Sequence, residues 1–313
     1  MTVSTSPAAA QPRGGRAPQK LTQLERWKLR GPLLPALVLT VVLTQIPMLV
    51  TVYYSFQSRN LLRPEESGFA GFANYGRVFG DEQFRGAVLN TVVLTASTVL
   101  LSIVLGIALA VLLDQKFLGR SVVRTLLITP FLVMPAAAAL LWKHAMFNPL
   151  FGILNWALSP FGVERVDWAS QYPMTSIVLM LTWQWTPFMM LIVLAGLQSQ
   201  SPELLEAAKM DGAGPFKTFW FVTFPQLRQF IELAILLGSI FIVQTFDPIF
   251  LITQGGPGQA TTNLPYFIYQ RTFRAFEVGE AAAAGVIVVI ATIVIANFAL
   301  RVVSSLFREE ERA

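Results

Sequence analysis

The chain has 313 residues, 54% of them hydrophobic and only 13% charged. Soluble globular domains are about a quarter charged, so this balance excludes an ordinary soluble domain and matches a polytopic membrane protein. There is no cysteine and a single histidine, His144, which excludes a disulfide framework, a thiolate metal site and a histidine-rich metal cluster. The net charge of +5 is not gathered into a basic patch with interleaved aromatics, so no nucleic acid is expected as a partner.

Residues 1–31 begin with an Ala/Pro/Ser/Gly-rich stretch with scattered arginines and read as a disordered basic tail. They are not a secretory signal, because about thirty residues precede the first apolar run and that run is long enough to span a bilayer. A bilayer core needs about 20 apolar residues in a helix. Six runs meet or approach this: Pro32–Phe56, Ala87–Leu113, Thr125–Trp142, Met174–Leu197, Phe230–Ile252 and Ala281–Leu300. Each must be helical, because backbone amides in lipid are satisfied only internally. The third is the shortest, and its Pro130 and Pro135 predict a kink. The expectation is an all-α polytopic protein of six transmembrane helices, with membrane lipid around it.

Loop charges orient the spans. With the N-terminus inside, the inner segments hold fifteen Lys and Arg residues and the outer ones eight. The positive-inside rule then places both termini, and the loop between spans four and five, in the cytoplasm. On the outer side, residues 57–86 contain FAGFANYGRVF, with aromatics suited to a membrane surface. Residues 147–162 read as a short amphipathic interfacial helix between Pro149 and Pro160. Residues 253–265 read as a Gly/Pro-broken turn.

The inner loop after span four, SPELLEAAKMDGAG over Ser201–Gly214, is a polar helix with its own punctuation. Ser201 is an N-cap residue type and Pro202 suits the first helical position. Gly212 stands where a glycine ends a helix. Gly214-Pro215 then starts a second, aromatic helix, FKTFWFVTF, expected to end at Pro225. Leu204, Ala207, Ala208 and Asp211 share one side of the first helix, the two alanines permitting close approach by another surface. From the residues alone this is either an amphipathic connector lying on the membrane or a handle for a partner.

EAAKMDGAGPFKTFWFVTFP resembles the EAA loop of ABC-importer permeases, through Glu206, Ala207, Ala208, Gly212, Val222, Phe224 and Pro225. Phe224 stands where an aliphatic residue is usual, a change of size only. The resemblance covers residues 85–305 as a permease core. Residues 32–84 are then an added first span with its outer loop, and 306–313 a cytoplasmic tail. GGPGQATTNLPYFIYQRTF and the pair Asn90-Thr91 make the chain similar to maltose-type carbohydrate permeases. Segments such as WQWTPFMMLIVLAGLQS and VDWASQYP look most like the sorbitol/mannitol (polyol) permeases.

The resemblance implies a bacterial inner-membrane transport subunit that does no chemistry and carries no cofactor. Ser201–Gly214 would be a coupling helix docked on one of two ATP-binding subunits, with Glu206, Ala207, Ala208, Asp211 and Gly212 transmitting the motion. A homologous sister permease would complete the pore. An extracytoplasmic solute-binding protein would deliver a small carbohydrate or polyol. The chain itself has no GxxxxGK[ST] phosphate loop, so ATP is expected on the partners. HExxH and GxSxG are also absent, so no catalytic residues are assigned.

Polar residues inside the spans are candidates for the solute path: Asn90, Gln184, Gln244 and Asp247. Each has a structural alternative. Amides in bundles commonly bond helix to helix, and Asp247 can be a paired or rim residue. Trp183 and Trp185 flank Gln184, but adjacent helix positions face apart, so at most one can form a stacking platform. Lys143 and His144 read as interface residues, and Arg228 with Glu232 as a surface ion pair. Two other classes remain open: an ion-gradient-driven secondary transporter, which would use buried carboxylates and repeats, and a non-transporting membrane scaffold.

Overall fold

The computed structural model describes residues 33–308, with side chains described over 34–294. The expected tail over 1–31 lies outside the described residues, as does 309–313 at the other terminus. By its contacts the chain divides into two units, Met1–Val50 and Thr51–Ala313. The boundary falls inside the first helix, α1 (Leu33–Ser55). Along its N-terminal part Leu37, Leu39, Leu43 and Leu49 are all exposed, so this segment is apolar on every side.

The second unit is mainly helical; β1 (Gln57–Ser58) pairs antiparallel with β2 (Gly68–Phe69), and Asn60 bridges to Glu277. A short helix, α2 (Ala73–Gly80), leads into α3 (Glu82–Asp114), 33 residues long. Asp81 starts α3 by accepting from the Gln83 amide at 2.7 Å, as an N-cap acid should. The buried stripe of α3 runs through Ala87, Thr91, Leu94, Thr98, Ser102, Gly106, Ala110 and Leu113. The period is helical and the residues are mostly small. This stripe lies along α8 (Pro173–Gln198), which is buried on most sides and forms the centre of the bundle. The two helices run in the same direction, and a Cβ at Gly106 would lie 2.9 Å from Met189 Cβ and 3.0 Å from the Met190 amide.

The third apolar run is broken rather than kinked. α4 (Arg120–Leu132) and α5 (Pro135–Leu141) meet at 98°. Val133 and Met134 are extended at the break, because the residue before a proline is driven out of the helical region. α5 continues through a π-turn, Trp142–Met146. The expected short helix in 147–162 is present as α6 (Ile153–Leu158), and α7 (Trp168–Gln171) precedes α8.

After α8 come α9 (Pro202–Met210) and α10 (Pro215–Thr218). The expected stop at Pro225 does not occur. α10 passes through a π-turn, Phe219–Thr223, directly into α11 (Phe224–Ile242). Pro225 stands in the first turn of α11, directly after the π-turn, a position that tolerates proline. The fifth run is therefore not one helix over Phe230–Ile252. Its helix begins earlier, ends at Ile242, and gives way to a non-helical stretch and a π-turn, Ile249–Thr253. α12 (Leu264–Tyr269) and α13 (Val278–Arg308) complete the chain. Among the described residues four helices are long and apolar enough to cross a membrane, or five if the bent α4/α5 pair is one span.

At the end of the bundle opposite α9, polar side chains tie the connections together. Arg271 pairs with Asp81 and, at 3.7 Å, with Glu280, which also holds Arg77 at 2.9 Å. Buried Asn74 donates to the carbonyls of Ser55 and Gln57, each at 2.8 Å.

Candidate functional site

Two interrupted spans face each other across α8 and leave a cavity of about 320 Å³ between them. One wall is the α4/α5 break, with Phe131, Val133 and Pro135. The other follows α11, with Gln244 and Thr245 in the non-helical stretch and Asp247 at the start of the helical turn that runs into Ile249–Thr253. Gln184 and Trp185 of α8 form the floor.

Gln184 and Gln244 are each held by a hydrogen bond to a backbone carbonyl. The break at Val133 leaves a carbonyl without an intrahelical partner, and Gln184 donates to it at 3.0 Å. Irregular backbone at membrane depth is tolerated only where it is satisfied in this way or lines a cavity. The donation commits the Gln184 nitrogen and leaves Oε1 without a partner among the described residues. On the opposite wall, the fully buried Asn263 holds the Thr245 carbonyl at 2.6 Å, and Gln244 donates back to Ile240 at 2.9 Å. Asp247 is half-buried and, among the described residues, forms neither a hydrogen bond nor an ion pair.

Trp185 supplies an aromatic surface beside these groups. Its ring stacks on Phe241 with centroids 5.7 Å apart and meets Phe131 edge-on at 5.6 Å. Trp183 points elsewhere and packs on Trp142, centroids 5.7 Å apart. Only one of the adjacent tryptophans reaches the cavity, as the helical geometry required.

Gln184, Gln244 and Asp247 thus come together, and Asn90 does not join them. Its amide donates to the carbonyls of Gln259 (2.9 Å) and Thr262 (3.0 Å), while Thr91 accepts from the Leu264 amide at 2.9 Å. The pair pins the 253–265 loop to α3. Within that loop Thr253 and Thr261 share a hydroxyl contact of 2.7 Å, and Asn263 caps α12 through the Tyr266 amide. Asn263 and Thr245 are not among the candidates read from sequence. The available signal for Asn263 was its place just before Leu264-Pro265, an N-cap pattern. Nothing local marked Thr245. Lys143 donates to the Leu251 carbonyl at 2.7 Å, so it braces the π-turn beside the cavity. Arg228 and Glu232 form the expected pair at 2.8 Å.

The second cluster is the α9 segment. Ser201 occupies the N-cap position with extended backbone, but its side chain makes no capping bond. The C-terminus is closed fully: Gly212 has φ +77°, its amide reaches the Lys209 carbonyl at 3.1 Å, and the Ala213 amide reaches Ala208 at 3.0 Å. These two hydrogen bonds around a left-handed glycine fix the bend. Ala208 is buried against the chain itself. Glu206, Ala207, Asp211 and Gly212 are exposed, and so are Leu204, Met210, Phe216 and Phe221. Of the five residues expected to touch a partner, four lie on a free surface and one serves as its support.

Residues 102–309 match the family described as the binding-protein-dependent transport system inner membrane component. The chain is 33% identical to the probable ABC transporter permease protein y4oQ of Sinorhizobium fredii, over 90% of this chain and 91% of that one. It is 32% identical to the trehalose/maltose transport system permease protein MalF of Thermococcus litoralis, over 86% and 90%. In fold it matches the crystal structure of a bacterial ABC transporter involved in the import of the acidic polysaccharide alginate, with a TM-score of 0.77, 23% identity and coverage of 90% and 96%. The chain therefore belongs to the binding-protein-dependent inner-membrane transport components: it is a multi-pass ABC permease subunit, not an enzyme, and ATP is hydrolysed by separate subunits.

Proposed function

We propose that this permease moves a small, neutral, polyhydroxylated solute, a sugar or a polyol, into the cell. The observation that carries the reading is the cavity where Gln184, Gln244 and Asp247 meet the ring of Trp185. A polyhydroxylated solute presents apolar C–H faces to an aromatic ring and hydroxyls to amides and a carboxylate, and this lining offers both. The likeness to a trehalose/maltose permease supports the carbohydrate class, and the resemblance of VDWASQYP and WQWTPFMMLIVLAGLQS to polyol permeases supports the smaller solute.

In this reading the chain crosses the membrane six times with both termini in the cytoplasm, as its loop charges favour. α9 is the coupling helix, and its exposed residues Glu206, Ala207, Asp211 and Gly212 meet an ATP-binding subunit. The bend at Gly212 makes the helix stiff enough to pass on a displacement. A sister permease forms the other half of the pore, two ATP-binding subunits hold the nucleotide, and a solute-binding protein supplies the cargo. The test is ATP-driven uptake by the reconstituted assembly in liposomes. Trp185→Ala is expected to reduce sugar or polyol uptake about tenfold or more, with assembly intact. Uptake unchanged by Trp185→Ala removes the cavity from the path, and uptake abolished by an ionophore while ATP is present favours a gradient-driven carrier.

A further inference from the structure

The cavity contains one ionisable group. Gln184, Gln244 and Thr245 are its neutral polar members, and Asp247 alone carries charge. A carboxylate at membrane depth is expensive unless it meets a partner or water. Among the described residues the other part-buried carboxylates have partners: Asp81 and Glu280 pair with Arg271, Glu232 with Arg228, Glu277 with Asn60 and Asp167 with Ser170. Asp247 has none among the described residues. Lys143, on the element packed against the 249–253 turn, is committed to a backbone carbonyl. The field of Asp247 is therefore not cancelled within the cavity wall, and the apolar rings around it do not screen it.

We propose that Asp247 is the charge-selecting residue of this permease: it admits neutral and cationic polyhydroxylated solutes and turns away anionic ones such as phosphate esters, sulfonates and uronates. The inference rests on the cavity being the solute path. It extends that reading by giving the carboxylate a role that an amide of the same shape cannot fill. A carboxylate also accepts from two neighbouring hydroxyls at once, which suits a vicinal diol. The same fold serves an importer of an acidic polysaccharide, so the fold itself does not fix solute charge, and a side chain in the cavity has to.

The absence of cysteine from the chain allows a test without the natural solute. Gln244→Cys is introduced and the assembled transporter is treated with a cationic and an anionic methanethiosulfonate of similar size. Modification is read by mass on this subunit, and rates are normalised to those of a free thiol. The cationic reagent is expected to react about tenfold faster or more, because like and unlike charges brought into the cavity that Asp247 lines are respectively depleted and concentrated there. Adding Asp247→Asn is expected to reduce the ratio to within about threefold of unity, and adding Asp247→Glu to preserve it. A ratio near one without the second change, a ratio that survives Asp247→Asn, or a ratio lost in Asp247→Glu overturns the charge-selecting role while leaving the path in place. If the thiol introduced by Gln244→Cys reacts with neither reagent, in the nucleotide-free or the ATP-trapped assembly, the path reading is overturned and the inference with it.

Discussion

Gly212 shows how one residue sets the shape of a surface. Its φ of +77° lies in the left-handed region, which costs a side-chain-bearing residue about 1–3 kcal/mol and a β-branched one most of all. Open space surrounds the position where a Cβ would stand, so a substitution is opposed by backbone conformation and not by a clash. Gly212→Val is expected to leave insertion and subunit assembly intact and to reduce ATP-driven uptake about tenfold or more, by loosening the bend between α9 and α10. Gly212→Asn, which tolerates the left-handed region, is expected to retain most of the activity. Parallel uptake and ATPase measurements on the two variants check this; equal losses in both would refute the conformational argument.

At the scale of elements, the α3–α8 contact organises the bundle. The approach is close because α3 presents small residues, and Gly106 marks the tightest point, against Met189 and Met190. Gly106→Ala is expected to lower the melting temperature in detergent by a few degrees and Gly106→Leu by about 5 °C or more, since overpacking a close helix contact costs roughly 1–3 kcal/mol. A flat response across the series would show that the helices can separate at that level. The interrupted elements follow a different logic. The α4/α5 break and the stretch after Ile242 each leave backbone groups outside a helix, and the bundle answers with Gln184 at Val133 and Asn263 at Thr245. Broken spans and the side chains that satisfy them together produce the cavity.

At the scale of the molecule, the proposed topology separates two faces that single cysteines can distinguish. A cysteine at Ala213 is expected to react with an impermeant maleimide only from the cytoplasmic side. One at Phe151, which is 71% exposed at the opposite end, is expected to react only from the other side. Labelling of both from the same side, or of Ala213 from outside, would remove the α9 surface from any intracellular partner. The apolar surface also matters at this scale. Leu204, Met210, Phe216 and Phe221 are exposed beside the charged coupling candidates, a mixed patch of the kind that a protein partner covers.

By itself the sequence determined the membrane class, the course of α3 and α8, and the punctuation of Ser201–Gly214. Those signals are local: a run of apolar residues, a proline at a first turn, a glycine at a last one. It also limited the tryptophan platform to one ring, because helical spacing alone forbids two. Only the tertiary structure decided that the third run is broken by 98°, that the helix passes through Pro225, that Asn90 holds a loop and that Gln184, Gln244 and Asp247 share one cavity. These outcomes depend on which backbone groups are left unpaired and on which distant side chain satisfies them. Gln184 meets a carbonyl 51 positions away and Asn90 one 172 positions away, and no local pattern encodes such a meeting.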